Sequence, residues 1–339
     1  MSTMPAWFLD MLACPSCGAD LRFDASDPAC PEGIFTCVRC DCRLPIRGGV
    51  LRCVADEGYC GTFGEQWNAF RRTQIDRFSG STESSDRFIS ETALTNADLR
   101  GALVLDGGCG AGRFADVAVQ RGAQVVAVDF SSAVDTCAAN LRELGHPADR
   151  FVVVQASLYE LPFKPRAFDH VYSIGVVQHT PDRVATIRAL ANQLGSGRLV
   201  LWVYEKSWRS VLGYKYWFRL VTRHLSAAAN WRLSRVLVSV FFPVAWLLAK
   251  VPGAGKYLVR FLPLAYRGPG SVGTWAQGVE WSLLDTFDNL APVHDHPMTE
   301  TELRTWVTEA GLTPTRRLET LGLALSAERR PDASEGVDA

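Results

Sequence analysis

An apolar run leads into four glycines in Leu103-Val-Leu-Asp-Gly-Gly-Cys-Gly-Ala-Gly-Arg113, at positions 107, 108, 110 and 112. An apolar run that ends in glycines reads as a buried strand turning sharply into a helix. Glycine there tolerates positive φ and lets a ligand approach bare backbone. The chemistry offered is capture of a nucleotide-like cofactor. Gln124-Val-Val-Ala-Val-Asp129 is a second apolar run that ends in an acid. A carboxylate at the tip of the adjacent strand can accept both hydroxyls of a ribose. A dinucleotide fingerprint would put its third glycine at 113, where Arg113 stands, so the loop is not the pyrophosphate-binding kind.

Cysteine offers a second chemistry. The chain has ten, and six lie between 14 and 42. Cys14-Pro-Ser-Cys17 and Cys37-Val-Arg-Cys40 are two C-x-x-C pairs separated by nineteen residues. That is the spacing of a four-thiolate zinc ribbon, in which four sulfurs close a structural site and leave no open position for catalysis. Cys30 and Cys42 are spare ligands. A disulfide framework would need an oxidising compartment. The start of the chain shows no basic region followed by a long apolar run, so the expectation is zinc in a cytoplasmic protein.

The elements that must position these groups alternate. Further strand-like runs are Phe151-Val-Val-Val-Gln-Ala-Ser157, Phe168-Asp-His-Val-Tyr-Ser-Ile174 and Arg198-Leu-Val-Leu-Trp-Val-Tyr204. Helical segments fall between them at about 112–121, 131–143 and 182–194. Strand alternating with helix predicts a parallel sheet with helices on both faces.

Gly108-x-Gly110-x-Gly112 resembles motif I of the class I S-adenosylmethionine (SAM) dependent methyltransferases. Leu161-Pro-Phe163 resembles the "LPF" after that family's adenine-contacting loop. Phe168 to Pro181 resembles its "FDxVxSxGVLHHxxD" segment, with Gln178 in place of the first His and His179 keeping the second. Ser157 stands where many members carry Asp. The resemblance covers nearly all of 101–205. It implies SAM as cofactor, held by Asp106, Gly108, Cys109, Gly110 and Gly112 of the loop and by Asp129 and Phe130 after the second strand. Ala156, Ser157 and Leu158 after the third strand and Ser173 on the fourth complete the set. Thr62-Phe-Gly-Glu-Gln-Trp-Asn68 resembles a segment that lies over the SAM pocket in some natural-product and glycan-cluster methyltransferases, which adds Phe63 and Trp67. The text around the cysteines resembles a small zinc-ribbon protein that partners RNA and protein methyltransferases.

SAM already carries an activated methyl group, so the protein must align a nucleophile and exclude water. A hydroxyl acceptor would be helped by a base, and histidine suits neutral pH. His179 follows the fourth strand, at the edge where α/β sites form. His294 on a later loop and Tyr204 at the end of the fifth strand, with Glu205 beside it, are the other candidates. His294 and His296, near Asp285, Asp288 and Asp295, could also hold a divalent ion.

The expected architecture is α/β: a seven-stranded Rossmann-like methyltransferase sheet with helices on both faces, an N-terminal zinc ribbon and a helical cap insertion. The expected divisions are ribbon 1–53, linker and lid helices 54–100, SAM-binding core 101–205, cap 206–280, the rest of the sheet 281–327 and a flexible tail 328–339. Within the cap, the aromatics from Trp208 to Trp246 suggest a buried helical hairpin. The apolar run Val236 to Ala249 is shorter than the roughly twenty residues of a transmembrane span and holds Pro243. An interfacial element reaching a lipid-linked substrate is the alternative. Thr299 and Glu302 form a capping-box pattern, and Gly311 ends that helix. With a net charge of −1 there is no large basic field for a phosphate backbone, so nucleic acid is disfavoured as a partner. The reading is methyl transfer, to oxygen by preference, on a small or lipid-linked molecule with an apolar part. A catalytically silent binding protein and a ribbon-directed RNA or protein methyltransferase are the rival readings.

Overall fold

The structure, a computed structural model, describes residues 4–27, 30–54, 61–207, 214–268 and 273–330. Trp208, the side chain of Phe63 and the tail beyond 330 lie outside the described residues.

The chain opens with α1 (Ala6–Met11) and four short strands, β1 (Leu21–Asp24), β2 (Ile34–Cys37), β3 (Arg43–Arg47) and β4 (Val50–Arg52). Helices α2 (Gly61–Ala69), α3 (Asp76–Ser79), α4 (Glu83–Thr92) and α5 (Asn96–Leu99) follow. The alternating core is β5 (Leu103–Gly107), α6 (Arg113–Gln120), β6 (Gln124–Asp129), α7 (Ala133–Glu143), β7 (Phe151–Gln155), β8 (His170–Ile174), α8 (Arg183–Gln193) and β9 (Arg198–Val203). The insertion supplies α9 (Tyr214–Thr222), α10 (Ala227–Leu248), α11 (Gly255–Leu258) and α12 (Trp275–Leu290), and α13 (Glu300–Glu309), β10 (Leu312–Glu319) and β11 (Leu323–Arg329) close the chain.

All strands join one eleven-stranded sheet in the order β1-β2-β3-β4-β7-β6-β5-β8-β9-β11-β10. The seven from β7 to β10 are the expected set; the other four come from the N-terminal module. Strands β5 to β9 run parallel, in register from Leu103↔Gln124 to Gly107↔Val128 at the β5–β6 pair. Every residue of β7 and β8 is buried, as expected for parallel strands covered on both faces. Chain order reverses between β5 and β8, which opens a crevice at the carboxyl ends of these strands.

The N-terminal module is built into the sheet edge. β4 pairs parallel with β7, Val50↔Val153 to Arg52↔Gln155. Without it, β7 would present an apolar edge with unpaired backbone groups. Val50 and Leu51 are fully buried in this pairing. Cys53 N–H donates to the Gln155 carbonyl at 2.8 Å, Ala13 N–H to Pro162 at 3.0 Å, and the Trp7 indole to the Asp149 carbonyl at 2.8 Å. Leu161-Pro-Phe163 is thus the seat of the module, with Phe163 edge-on to Phe8.

Two clusters of buried side chains sandwich the sheet, and a third holds the insertion together. In the third, Val238, Phe242 and Ala245 of α10 pack with Val259 and Leu264, and Trp231 stacks on Phe287 of α12 at 4.2 Å. α12 runs through the expected division at 280. β11 includes Glu328 and Arg329, which had been assigned to the tail. The Arg329 guanidinium donates to the Ala191 and Leu194 carbonyls, so a charged side chain ends the strand by capping α8. Thr299 and Glu302 form the expected capping box on α13.

Candidate active site

The glycine loop is tied on three sides. Gly108 and Cys109 donate their N–H groups to the Val128 carbonyl at 2.7 and 2.9 Å, and Gly110 N–H donates to Asp129 Oδ2 at 2.9 Å. Gly108 and Gly112 have φ of +94° and +88°. A Cβ at 108 would run into both γ-carbons of Val176, and one at 112 would lie 2.9 Å from Cys137 Sγ. A Cβ at 110 would lie 3.1 Å from the Trp67 ring, which places α2 over the loop. Asp129 Oδ1 accepts from Ser131 N–H at 2.9 Å and its hydroxyl at 2.7 Å. Burial raises the Asp129 pKa above the ordinary value, while these hydrogen bonds hold it down.

A cleft of ≈ 1670 Å³ opens here. Ligand pockets usually measure about 300–1,000 Å³, so it has room for a cofactor and a second molecule. Gly108, Cys109, Gly110, Asp129, Phe130, Leu158 and Trp67 all line it. These residues fit a nucleoside-bearing cofactor: bare backbone for close approach, a carboxylate at the strand tip and apolar surface on either side of it.

His179, Tyr204, Lys215, Tyr216, Trp281 and Asp288 line the same cleft. The His179 ring meets Tyr204 edge-on at 5.4 Å. His179 Nδ1 lies 2.8 Å from the His294 carbonyl, which assigns the proton to Nδ1 and makes Nε2 the acceptor in the neutral ring. Burial lowers the His179 pKa, so the neutral form prevails at neutral pH. The Tyr204 hydroxyl donates to Asp288 Oδ2 at 3.0 Å. Burial, with the charges of Asp288 and Asp295, pushes its pKa well above the usual value. Tyr204 is therefore a held donor and not a base.

Several expected site residues do other work. Asp106 is 2 % exposed behind the loop, beside Tyr172, and does not line the cleft. Burial raises its pKa to about 8. Ser173 is buried and donates to the Gly107 carbonyl at 2.7 Å, so it fixes the start of the loop from below. Ala156 is fully buried, and the Ser157 hydroxyl accepts from Tyr159 N–H at 3.2 Å; neither faces the cleft. His294 contributes its carbonyl to His179, and its ring lies outside the cleft. No divalent site forms at His294 and His296: Asp295 pairs with Lys215 at 2.6 Å and Asp285 with Arg267 at 2.7 Å.

A polar wall of the cleft went unread in the sequence. Arg113, the residue that spoils the dinucleotide pattern, is 7 % exposed and donates to Ser84 Oγ at 2.8 Å. It lies over Trp281 and near Glu83, tying the loop helix to α4 and the cap. Burial lowers its pKa to about 9. Arg87, Glu91 and Arg267 line the cleft beside it. An arginine at the first position of the loop helix, flanked by apolar residues, was the available signal.

Away from the cleft, Cys14, Cys17, Cys37 and Cys40 bring their sulfurs within 4.8 Å of one another. Cys14 and Cys40 Sγ are 3.6 Å apart, and Cys17 and Cys37 Sγ 3.5 Å. A disulfide would need about 2.05 Å. A zinc tetrahedron with Zn–S of about 2.3 Å has edges near 3.8 Å, which these separations approach. Arg39 and Cys40 N–H groups point at Cys37 Sγ, at 3.3 and 3.4 Å. The donor set fits Zn²⁺. Cys30 and Cys42 stay outside the cluster.

Residues 105–222 match the family described as "Methyltransferase domain". The ubiquinone biosynthesis O-methyltransferase of Nitrosomonas europaea is 32% identical over 130 residues, 35% of this chain and 53% of that protein. The protein of the same name from Xanthomonas euvesicatoria pv. vesicatoria is 35% identical over 107 residues, 32% of this chain and 44% of that one. This chain thus spans about half or less of the curated relatives it matches. Among solved structures, magnesium protoporphyrin IX methyltransferase from Synechocystis PCC 6803 with bound SAH superposes with a TM-score of 0.45 at 18% identity, covering 81% of this chain and 98% of that one. Residues 105–222, about a third of the chain, thus form a SAM-dependent methyltransferase domain.

Proposed function

We propose that this protein transfers a methyl group from SAM to a hydroxyl of an acceptor with an apolar part. The observation that carries the reading is one cleft lined both by the glycine loop with Asp129 and by a buried, neutral histidine. Gly108, Gly110 and Asp129 would hold the cofactor, with Trp67, Phe130 and Leu158 against its flat surfaces. Bound there, SAM supplies a methyl group already activated by its sulfonium. His179 takes the acceptor's proton at Nε2, while its Nδ1–H, held by the His294 carbonyl, fixes the ring. Tyr204, anchored by Asp288, positions the acceptor against that ring. Trp281, Leu284 and Tyr216 exclude water and select an apolar body. The four thiolates hold one structural zinc.

Isothermal titration with SAM and with S-adenosylhomocysteine tests the cofactor site, and absence of binding to either would sink the reading. Transfer of label from methyl-tritiated SAM into small-molecule, lipid, RNA and protein fractions tests the acceptor. Label confined to RNA or protein would replace it with a macromolecular methyltransferase.

A further inference from the structure

The insertion after β9 differs in charge from the rest of the chain. Residues 206–279 hold eleven Lys and Arg and no Asp or Glu, while all 36 acids lie elsewhere. Part of this charge turns inward: Lys215 and Arg219 meet Asp295, and Arg267 meets Asp285. Arg232, Arg235, Lys250 and Arg260 are instead exposed, with no ion pair among the described residues, and Arg235 lies over the Trp231 ring at 5.8 Å.

Apolar side chains of the same insertion are exposed as well. Val240, Val244 and Leu247 of α10 are 56, 43 and 66 % exposed, three or four residues apart on one stripe that runs toward Lys250. On α9, Trp217 and Leu220 are 63 and 62 % exposed, and Phe261 is 85 % exposed. Isolated exposed apolar residues are ordinary, but a stripe of them along a helix that carries unpaired cations marks a docking surface. The charged residues of the insertion itself are all cations.

α10 is the one described helix long and apolar enough to cross a membrane. Its other side is committed: Leu237, Val238, Phe242 and Ala245 are buried in the cap. A spanning helix would have to abandon that packing. A helix with one side packed on protein, the other apolar, and basic residues along its flank is suited to lie in the plane of a bilayer interface. Exposed tryptophan and phenylalanine are the aromatics that sit at that depth. Cations without neighbouring anions are drawn to acidic lipid headgroups.

We infer that the outer face of the cap, formed by α9, α10 and the turn at Phe261, docks on an anionic phospholipid surface. α9 links this face to the cleft, because Lys215 and Tyr216 line the cleft while Trp217 and Leu220 face out. One helix then separates the bilayer from the acceptor site, which suits an acceptor carrying a lipid tail. That last step rests on the methyl-transfer reading; the docking does not.

Flotation of the full-length protein with vesicles tests this. The protein should float with vesicles of equal parts phosphatidylglycerol and phosphatidylcholine, remain behind with phosphatidylcholine alone, and be released by added salt. Val240→Asp with Leu247→Asp should abolish flotation. Arg232→Gln with Arg235→Gln should weaken it about fivefold per charge, the equivalent of about 1 kcal/mol each. All four sites are exposed, so both variants should melt and titrate with SAM as the parent does. Parent protein that stays behind with acidic vesicles would overturn the proposal, as would flotation indifferent to both variants. Self-association by light scattering, lost in the Asp variant and without flotation, would assign the face to a second copy and overturn it too. Flotation without SAM binding would support docking and remove the methyl-transfer reading.

Discussion

Replacing Gly108 by alanine tests the loop at its tightest point. Two separable costs follow from the structure. The φ of +94° is unfavourable for an L side chain, at about 1–2 kcal/mol. The new Cβ would also come within 2.7 Å of Val176 Cγ1 and 2.9 Å of its Cβ, with Cγ2 nearer still. Forcing a packed side chain aside costs typically about 1–3 kcal/mol. Val176 is half-buried and lines the cleft, so the cleft is the open direction in which it can move. Relief of the clash therefore narrows the cofactor site. The expected loss is about 2–5 kcal/mol of stability and at least tenfold in SAM affinity, about 1.4 kcal/mol. Val176→Ala removes both γ-carbons but keeps the Cβ at 2.9 Å, so it should recover most of the steric part in the double variant and leave the backbone part. Urea denaturation and SAM titration of the parent, both single variants and the double complete the cycle. The steric argument fails if the two substitutions are additive within about 0.5 kcal/mol, and the whole argument fails if Gly108→Ala alone is neutral.

Three further outcomes are expected. Burial raises Asp106 to about pKa 8 from an ordinary 3.8, so the folded chain keeps a proton that the unfolded chain releases. Its contribution to stability is then complete below about pH 4, declines by at most about 1.4 kcal/mol per pH unit, and is gone above about pH 8. Asp106→Asn should match the parent in melting temperature at acid pH and exceed it at alkaline pH; a pH-independent difference would contradict the assignment. His179 must be neutral to accept a proton, so turnover should fall on the acid side, below the ordinary histidine range because burial lowers its pKa. His179→Asn should abolish that acid limb and cost about 10²–10⁴ in kcat; a variant with the parental pH profile would remove the base role. Metal analysis should find one zinc per chain, lost in Cys17→Ser and Cys37→Ser, and thiol mapping that found these cysteines paired as disulfides would refute the site.

The parallel core was legible because its signals are local. Each strand is an apolar run of the right length, and the turns after β5, β6, β8 and β9 carry glycine or an acid. The cysteine cluster was legible for the same reason, since four ligands in two knuckles fix their own spacing. Long-range pairing was not. Val50-Leu-Arg52 is three residues, too short to announce a strand, and its partner lies a hundred positions on. Ser157 and Ser173 stand out by position in a motif, but their hydroxyls are committed to the Tyr159 N–H and the Gly107 carbonyl. His294 was chosen for its ring and serves through its carbonyl, a role any residue type could fill. Arg113 and its acidic neighbours converge from three elements, and single-sequence periodicity does not report convergence.

The seam between β4 and β7 joins the cysteine cluster's module to the strand tips of the cleft by backbone hydrogen bonds. Cys53, just past β4, holds the Gln155 carbonyl, and the next residue, Ala156, donates its N–H to the Asp129 carbonyl at 3.0 Å. A shift of the ribbon is thereby passed through two consecutive backbone links to the strand tip that faces the ribose. Coupling between two binding events is reciprocal. Whatever factor zinc at the four thiolates would contribute to SAM affinity, SAM would return in zinc affinity, although the two sites share no residue.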